Sequence, residues 1–218
     1  MIKIENLDIH GWEAAIRGAR NPMNSWDKSD SYWTHIEDAE TLETANYQYF
    51  VGSNDMKLLR TLAKAGPDHG KYLRMITVTL DITAPLYWWK EFDTYKVGTT
   101  ANSCSTMHKI HTKEFALRDF SHEHLNMIGL NTLSVLVDQL EANRRLFLET
   151  HDKRYWWQLI QLLPSSYNQR RTVSLNYAVL RTMYFARRLH KLNEWREFCE
   201  WITTLPYANE LIVGEETK

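Results

Sequence analysis

Hydrophobic and polar positions alternate most clearly at residues 75–82, where Ile76, Val78, Leu80 and Ile82 interleave with Thr77, Thr79 and Asp81. This β-branched alternation predicts a strand with one buried face. Pro85 follows where a helix should begin, since its locked φ suits a first turn. Trp88, Trp89, Phe92 and Tyr95 then recur at helical spacing, and the helix is predicted to fail near Gly98. Beyond it lie Thr99, Thr100, Asn102, Ser103, Ser105 and Thr106, a run of hydrogen-bonding side chains. An aromatic helix emptying into such a loop reads either as a ligand cradle or as a core helix followed by a polar turn.

The flanking pattern completes the outline. Residues 2–9 alternate as a strand, and residues 11–20 form a short helix with Trp12, Ala15 and Ile16 on one face, ended by Asn21-Pro22. Residues 23–44 show no period and read as irregular. Residues 46–51 suggest a strand. Asn54-Asp55 suggests a cap for a helix bearing Leu58, Leu59 and Leu62, broken by residues 66–70. Residues 108–120 are expected to be helical. The rest reads as helices: one with Leu133, Leu136, Val137, Leu140 and Phe147 on a single face, a second over 153–163 stopped by Pro164, a long central one over 172–189, and a closing one over 193–203. No repeat or linker divides the chain. The expected fold is therefore one α+β domain over 1–218, a small mostly antiparallel sheet around 75–82 covered by long helices.

Composition narrows the chemistry only a little. A formal net charge of −1 gives no bulk attraction to duplex nucleic acid or an anionic membrane. Two cysteines, Cys104 and Cys199, make neither a disulfide framework nor a metal quartet. With no signal peptide or membrane-length apolar run, the expectation is a cytoplasmic protein. Nine Trp and eleven Tyr supply core or stacking surfaces. His108, His111, His122 and His124, with Asp119 and Glu123, are metal-ligand types but match no specific spacing, so no metal is expected. Cys104 has no general base beside it in sequence, and no phosphate-binding glycine loop or dinucleotide fingerprint is present. Arg17 and Arg20, beside Asn21, Asn24 and Ser25, could bind an anion or form a solvated helix end.

From about His69 onward the order of features resembles the flavin-dependent thymidylate synthases. The matching pieces are His69, the strand 75–82, Ala84-Pro85, residues 94–99 in the place of an Arg-His-Arg signature, then Asn102 and Ser105. Leu163-Pro164, Asn176 and Arg187 follow at family spacing, and Asn193-Glu194-Trp195 resembles the closing segment. The resemblance implies FAD bound where subunits meet and methylation of dUMP to dTMP. It implies a homo-oligomer, a tetramer. His69, Asn102 and Asn176 would contact flavin, Ser105 would lie by the reacting base, and Lys96, Ser105 and Arg187 would face one cavity and hold the nucleotide.

Departures from the family pattern cut the other way. Thr94, Tyr95 and Lys96 replace Arg-His-Arg, while Met107, Ala178 and Ile160 stand where the family has arginines, and Arg74 replaces a carboxylate. None of Thr, Met, Ala or Ile can grip phosphate as a planar guanidinium does. Each lost charge-assisted hydrogen bond costs about 1.5–3 kcal/mol of affinity. Lys71, Arg74, Lys96, Arg170 and Arg171 are candidate replacements. Two functions follow: a synthase-like protein binding a (deoxy)nucleotide and FAD, or a catalytically inactive member that binds or sequesters a nucleotide-type ligand. Arg187→Ala is expected to weaken that ligand and to spare folding.

Overall fold

The computed structural model describes residues 2–36 and 46–214. Its centre is an antiparallel four-stranded sheet in the order β1-β4-β6-β5. The strands are β1 (Lys3–His10), β4 (Thr77–Pro85), β5 (Thr100–Ser103) and β6 (Asn168–Asn176). Between β1 and β4 lie helix α1 (Trp12–Arg20), a separate hairpin of β2 (Tyr32–Ile36) and β3 (Asn46–Phe50), and helix α2 (Ser53–Lys64). Helix α3 (Leu86–Phe92) follows β4. Helices α4 (Met127–Thr150) and α5 (Lys153–Leu162) precede β6, and α6 (Tyr177–Arg187), α7 (Asn193–Thr203) and the short α8 (Ala208–Leu211) end the fold.

The alternation along β4 does what it predicts: Val78, Leu80, Ile82 and Ala84 are buried, and the interleaved Thr77, Thr79, Asp81 and Thr83 face outward. The strand is displaced from its expected span. It begins at Thr77, because Gly70–Arg74 form a 3-10 turn, and it runs on to Pro85. Pro85 caps α3, whose Trp88, Trp89 and Phe92 meet Trp195 and Phe198 of α7 in an aromatic core. Trp88 and Trp195 lie 4.8 Å apart. Burying each such ring stabilises the fold by roughly 1.5–3 kcal/mol relative to exposure, which settles the aromatic helix as core rather than stacking surface. The helix stops at Phe92, well before Gly98.

Four other expectations are corrected. Residues 172–189 are not one helix: Asn168–Asn176 pair with β4 from Thr77↔Asn176 to Pro85↔Asn168, and only then does α6 begin. Val173 and Leu175 point into the core while Thr172 and Ser174 face out, a period of two that β4 rewards with a full hydrogen-bond ladder. Residues 108–120 are turns ending in a 3-10 turn at Leu117–Asp119, because side chains take the backbone donors a helix would need. Ser105 Oγ accepts from His108 N at 2.9 Å and Glu141 Oε2 from Phe115 N at 3.0 Å. The polar run after Gly98 is partly strand, since residues 100–103 form β5 against β6. Within residues 23–44, Tyr32–Ile36 are strand rather than irregular, and residues 37–44 lie outside the described residues.

The segment 104–120 packs on the α4–α5 pair through a second cluster of Ile110, Phe115, Phe120, Leu133, Val137, Leu140 and Leu159. No helix among the described residues is long and apolar enough to cross a membrane.

Candidate functional site

The start of β4 and the start of α6 come together as the register dictates, with Tyr177 N donating to Ile76 O at 3.1 Å. Asn176, expected on a helix, instead caps one: its Oδ1 accepts from Val179 N at 3.1 Å. The loop after α3 settles on this cap through Gly98, whose φ is +78°. A Cβ there would lie 3.0 Å from Asn176 Nδ2 and 3.1 Å from Val179 Cγ2, so only glycine fits both the conformation and the approach.

Loop and cap enclose a cavity of about 470 Å³ lined by Arg74, Lys96, Val97, Asn176, Val179 and Thr182, among others. A second cavity of about 440 Å³ shares Arg74, Ala178 and Thr182 with it and extends past Pro67, Leu73, Arg181 and Phe185. Together they make a groove along one side of α6, opened by the small side chain of Ala178. Arg74 and Lys96 are exposed, and neither has a carboxylate partner among the described residues. Arg181 is committed to the C-terminal end of α8, donating to Ile212 O at 2.8 Å, and burial pushes its pKa down. Two uncompensated cations, an amide and an apolar wall of Val97, Val179 and Phe185 suit the phosphates and ring of a nucleotide or flavin nucleotide.

The other expected site residues are dispersed within the chain. Ser105 lines a separate cavity of about 670 Å³ between the sheet edge and the segment 104–120, with Cys104, Lys109 and Arg170. Its hydroxyl accepts from two backbone N–H groups there, those of Met107 and His108. Arg187 reaches neither Lys96 nor Ser105. It donates through Nη1 to Glu91 Oε2 at 2.5 Å and through Nε to Tyr95 Oη at 2.9 Å, and its guanidinium lies 4.9 Å over the Trp195 ring. One chain therefore does not bring Lys96, Ser105 and Arg187 to a common cavity, because Glu91 and Tyr95 hold Arg187 against the aromatic core. His69 is exposed beside the 3-10 turn at Gly70–Arg74, and Asn102 is exposed on β5 opposite Thr172.

Arg20, read as an anion-binding candidate, is buried and paired to Asp55 at 2.6 Å. Asp55 does not cap α2, whose cap is Gly52; it accepts in addition from Ser29 Oγ, Ser31 Oγ and Asp30 N. The histidines scatter: His122 binds Phe120 O, His124 meets Asn193, and His111 packs on Phe147. Sequence reasoning missed Thr182 and Arg181 in the groove. The i, i+4 spacing of Ala178 and Thr182 was visible, but their segment was not correctly divided into strand and helix.

No family model and no curated protein matches this chain. Solved structures do. A crystal structure of thymidylate synthase X (ThyX) from Helicobacter pylori with FAD and dUMP matches at TM-score 0.67 and 16% identity, over 97% of both chains. This chain has the fold of the flavin-dependent thymidylate synthases. Another Helicobacter pylori ThyX structure, also complexed with FAD and dUMP, matches at TM-score 0.67 over 99% of this chain and 100% of that one. The α+β architecture expected from the resemblance is thus the observed one. At this identity the likeness concerns backbone, and the ligands of the Helicobacter enzyme do not transfer with it.

Proposed function

We propose that this chain, on the flavin-dependent thymidylate synthase fold, binds a nucleotide-type ligand, FAD or a deoxynucleotide such as dUMP, in the groove between Arg74, Lys96 and Asn176. The observation that carries the reading is the pair of cations, without carboxylate partners among the described residues, on a groove with an apolar wall. Arg74 and Lys96 hold the phosphates, and Asn176 Nδ2, left over from capping, donates to a ring carbonyl. Val179 and Val97 exclude water from the ring. When bound, flavin supplies hydride in the family reaction that methylates dUMP. Oligomeric assembly, a tetramer by the resemblance, completes the site with Ser105, His69 and Asn102 from neighbouring copies. A reducing, cytoplasmic setting accords with the free Cys104 and Cys199.

The second reading, a nucleotide-binding protein without synthase activity, is favoured by one specific feature. Arg187, the residue the resemblance assigns to the nucleotide, is engaged by Glu91 and Tyr95 of its own chain.

Titration with FAD, FMN, dUMP and dTMP, followed by calorimetry and flavin fluorescence, tests the groove. Binding of at least one ligand, weakened roughly tenfold or more by Arg74→Ala or Lys96→Ala, is expected, corresponding to about 1.5–3 kcal/mol per charged hydrogen bond. Absence of binding at millimolar concentration, or unchanged affinity in both variants, overturns the proposal. Measuring dTMP formation with FAD, a nicotinamide reductant and methylenetetrahydrofolate then separates the two readings.

A further inference from the structure

Trp26 and Trp33 are half exposed, at 50% and 54%, yet both are fixed in place. Trp26 begins a 3-10 turn at Trp26–Lys28, and the guanidinium of buried Arg20 holds the backbone on either side of it, at Ser25 O (3.0 Å) and Lys28 O (2.9 Å). Its indole N–H donates to Asn21 Oδ1 at 2.8 Å. Trp33 pairs with buried Tyr49 across the hairpin, the rings edge-on at 5.0 Å, and its indole N–H reaches Glu13 Oε2 at 3.5 Å. Glu13 and Asn21 lie on one exposed face of α1, eight residues and about 12 Å apart along its axis, with exposed Arg17 midway. Arg17 has no ion-pair partner among the described residues. The result is a ridge with an indole at each end and a carboxylate, a guanidinium and an amide along it. Both indole N–H groups are used within the chain, so the ridge offers ring faces rather than ring edges. Rings already held rigid lose little freedom when a ligand stacks on them.

We propose that this ridge binds a neutral oligosaccharide, with sugar rings stacked by their C–H faces on Trp26 and Trp33 and hydroxyls bonded to Glu13, Arg17 and Asn21. Charge selects this occupant. Glu13 stands beside Trp33, and exposed Asp27 follows Trp26, so a polyanion such as single-stranded nucleic acid would meet a carboxylate at each aromatic end. A sugar hydroxyl carries no charge and both donates and accepts. It matches a carboxylate that accepts, a guanidinium that donates and an amide that does both. The planar two-atom ends of Glu13 and Arg17 suit a pair of adjacent hydroxyls. The anchors of the two indoles lie farther apart than one sugar ring reaches, so the ligand is a short chain rather than a monosaccharide. The ridge uses no residue of the groove beside α6, so this inference and the nucleotide reading stand or fall separately.

Calorimetry and tryptophan fluorescence of the full chain test it, with hexasaccharides of β-1,4-glucose, β-1,4-N-acetylglucosamine and α-1,4-glucose as probes and oligothymidylate as the polyanion. At least one hexasaccharide is expected to bind at submillimolar concentration, and its monosaccharide at least tenfold more weakly. Trp26→Ala should weaken the hexasaccharide at least tenfold. Trp33→Phe, which keeps a ring against Tyr49, should weaken it several-fold. Arg17→Ala, at an exposed and unpaired position, should also weaken it several-fold while thermal unfolding stays unchanged, which keeps the test open if a tryptophan variant folds poorly. No hexasaccharide binding at millimolar concentration overturns the proposal. So does binding that Trp26→Ala and Arg17→Ala leave intact, or oligothymidylate that binds more tightly than every sugar.

Discussion

Replacing Arg187 by alanine is expected to cost stability, contrary to what its place in the sequence suggests. The guanidinium ties three elements together: Glu91 on α3 at 2.5 Å, the Tyr95 hydroxyl at 2.9 Å, and the Trp195 ring of α7 at 4.9 Å. Its side chain is 19% exposed and that of Glu91 34%, so solvent screens the pair only in part. A charge-assisted hydrogen bond contributes about 1.5–3 kcal/mol, and the lower end applies to a pair that water still reaches. The cation–π contact adds about 0.5–1 kcal/mol. Arg187→Ala should therefore destabilise the fold by roughly 2–3 kcal/mol, or about 4–12 °C in Tm for a chain of this size. Urea unfolding of Arg187→Ala, Glu91→Gln and the double variant gives the coupling, expected at about 1–2 kcal/mol. A Tm loss under about 2 °C, with coupling below about 0.3 kcal/mol, would refute the assignment. Nucleotide affinity lost without any change in stability would return Arg187 to the ligand.

Three further perturbations follow from the same structure. Asp55→Ala strips the partner from buried Arg20 and leaves Ser29, Ser31 and Asp30 N without their acceptor, so denaturant unfolding should show a loss of roughly 3–5 kcal/mol; a loss below about 1 kcal/mol would contradict that hub. Gly98→Ala forces a side chain into a left-handed conformation against Asn176 and Val179, and should cost about 1–2 kcal/mol and weaken groove ligands, where equal ligand affinity would show that the loop plays no part. Glu141 is held down to about 2, first by Arg144 and also by Phe115 N and Arg145. Its folded value lies below the ordinary one, so its stabilisation is complete above about pH 4.5 and fades as pH falls towards 2. Glu141→Gln should cost about 1–2 kcal/mol at pH 7 and flatten that acid limb, and an unchanged limb would rule Glu141 out as its source.

Much of the fold was legible in order. The alternation over residues 75–82 could mean only a one-sided strand, and the period of Leu133, Val137 and Leu140 only a helix, because each pattern exposes its buried face by spacing alone. Pro164 marked a boundary for a steric reason that needs no partner, whereas α3 stops at Phe92 rather than at Gly98. The segment from Asn168 to Arg187 was different. Thr172-Val173-Ser174-Leu175 alternates over only four residues before Ala178-Val179-Leu180, and taken as one helix the whole stretch is apolar on more than one side, so local pattern does not divide it. The division came from β4, whose free edge offers nine paired positions to Asn168–Asn176 and none to a helix. The groove shared this fate: Ala178 and Thr182 line it only because α6 starts at Tyr177, after the sheet has ended. Arg187 shows the same limit in its sharpest form. Its spacing from Asn176 is a property of the chain, but whether its charge meets a ligand or Glu91 depends on where α3 lies, and hydrophobic burial of Trp88, Trp89 and Phe92 decides that from residues distant in sequence.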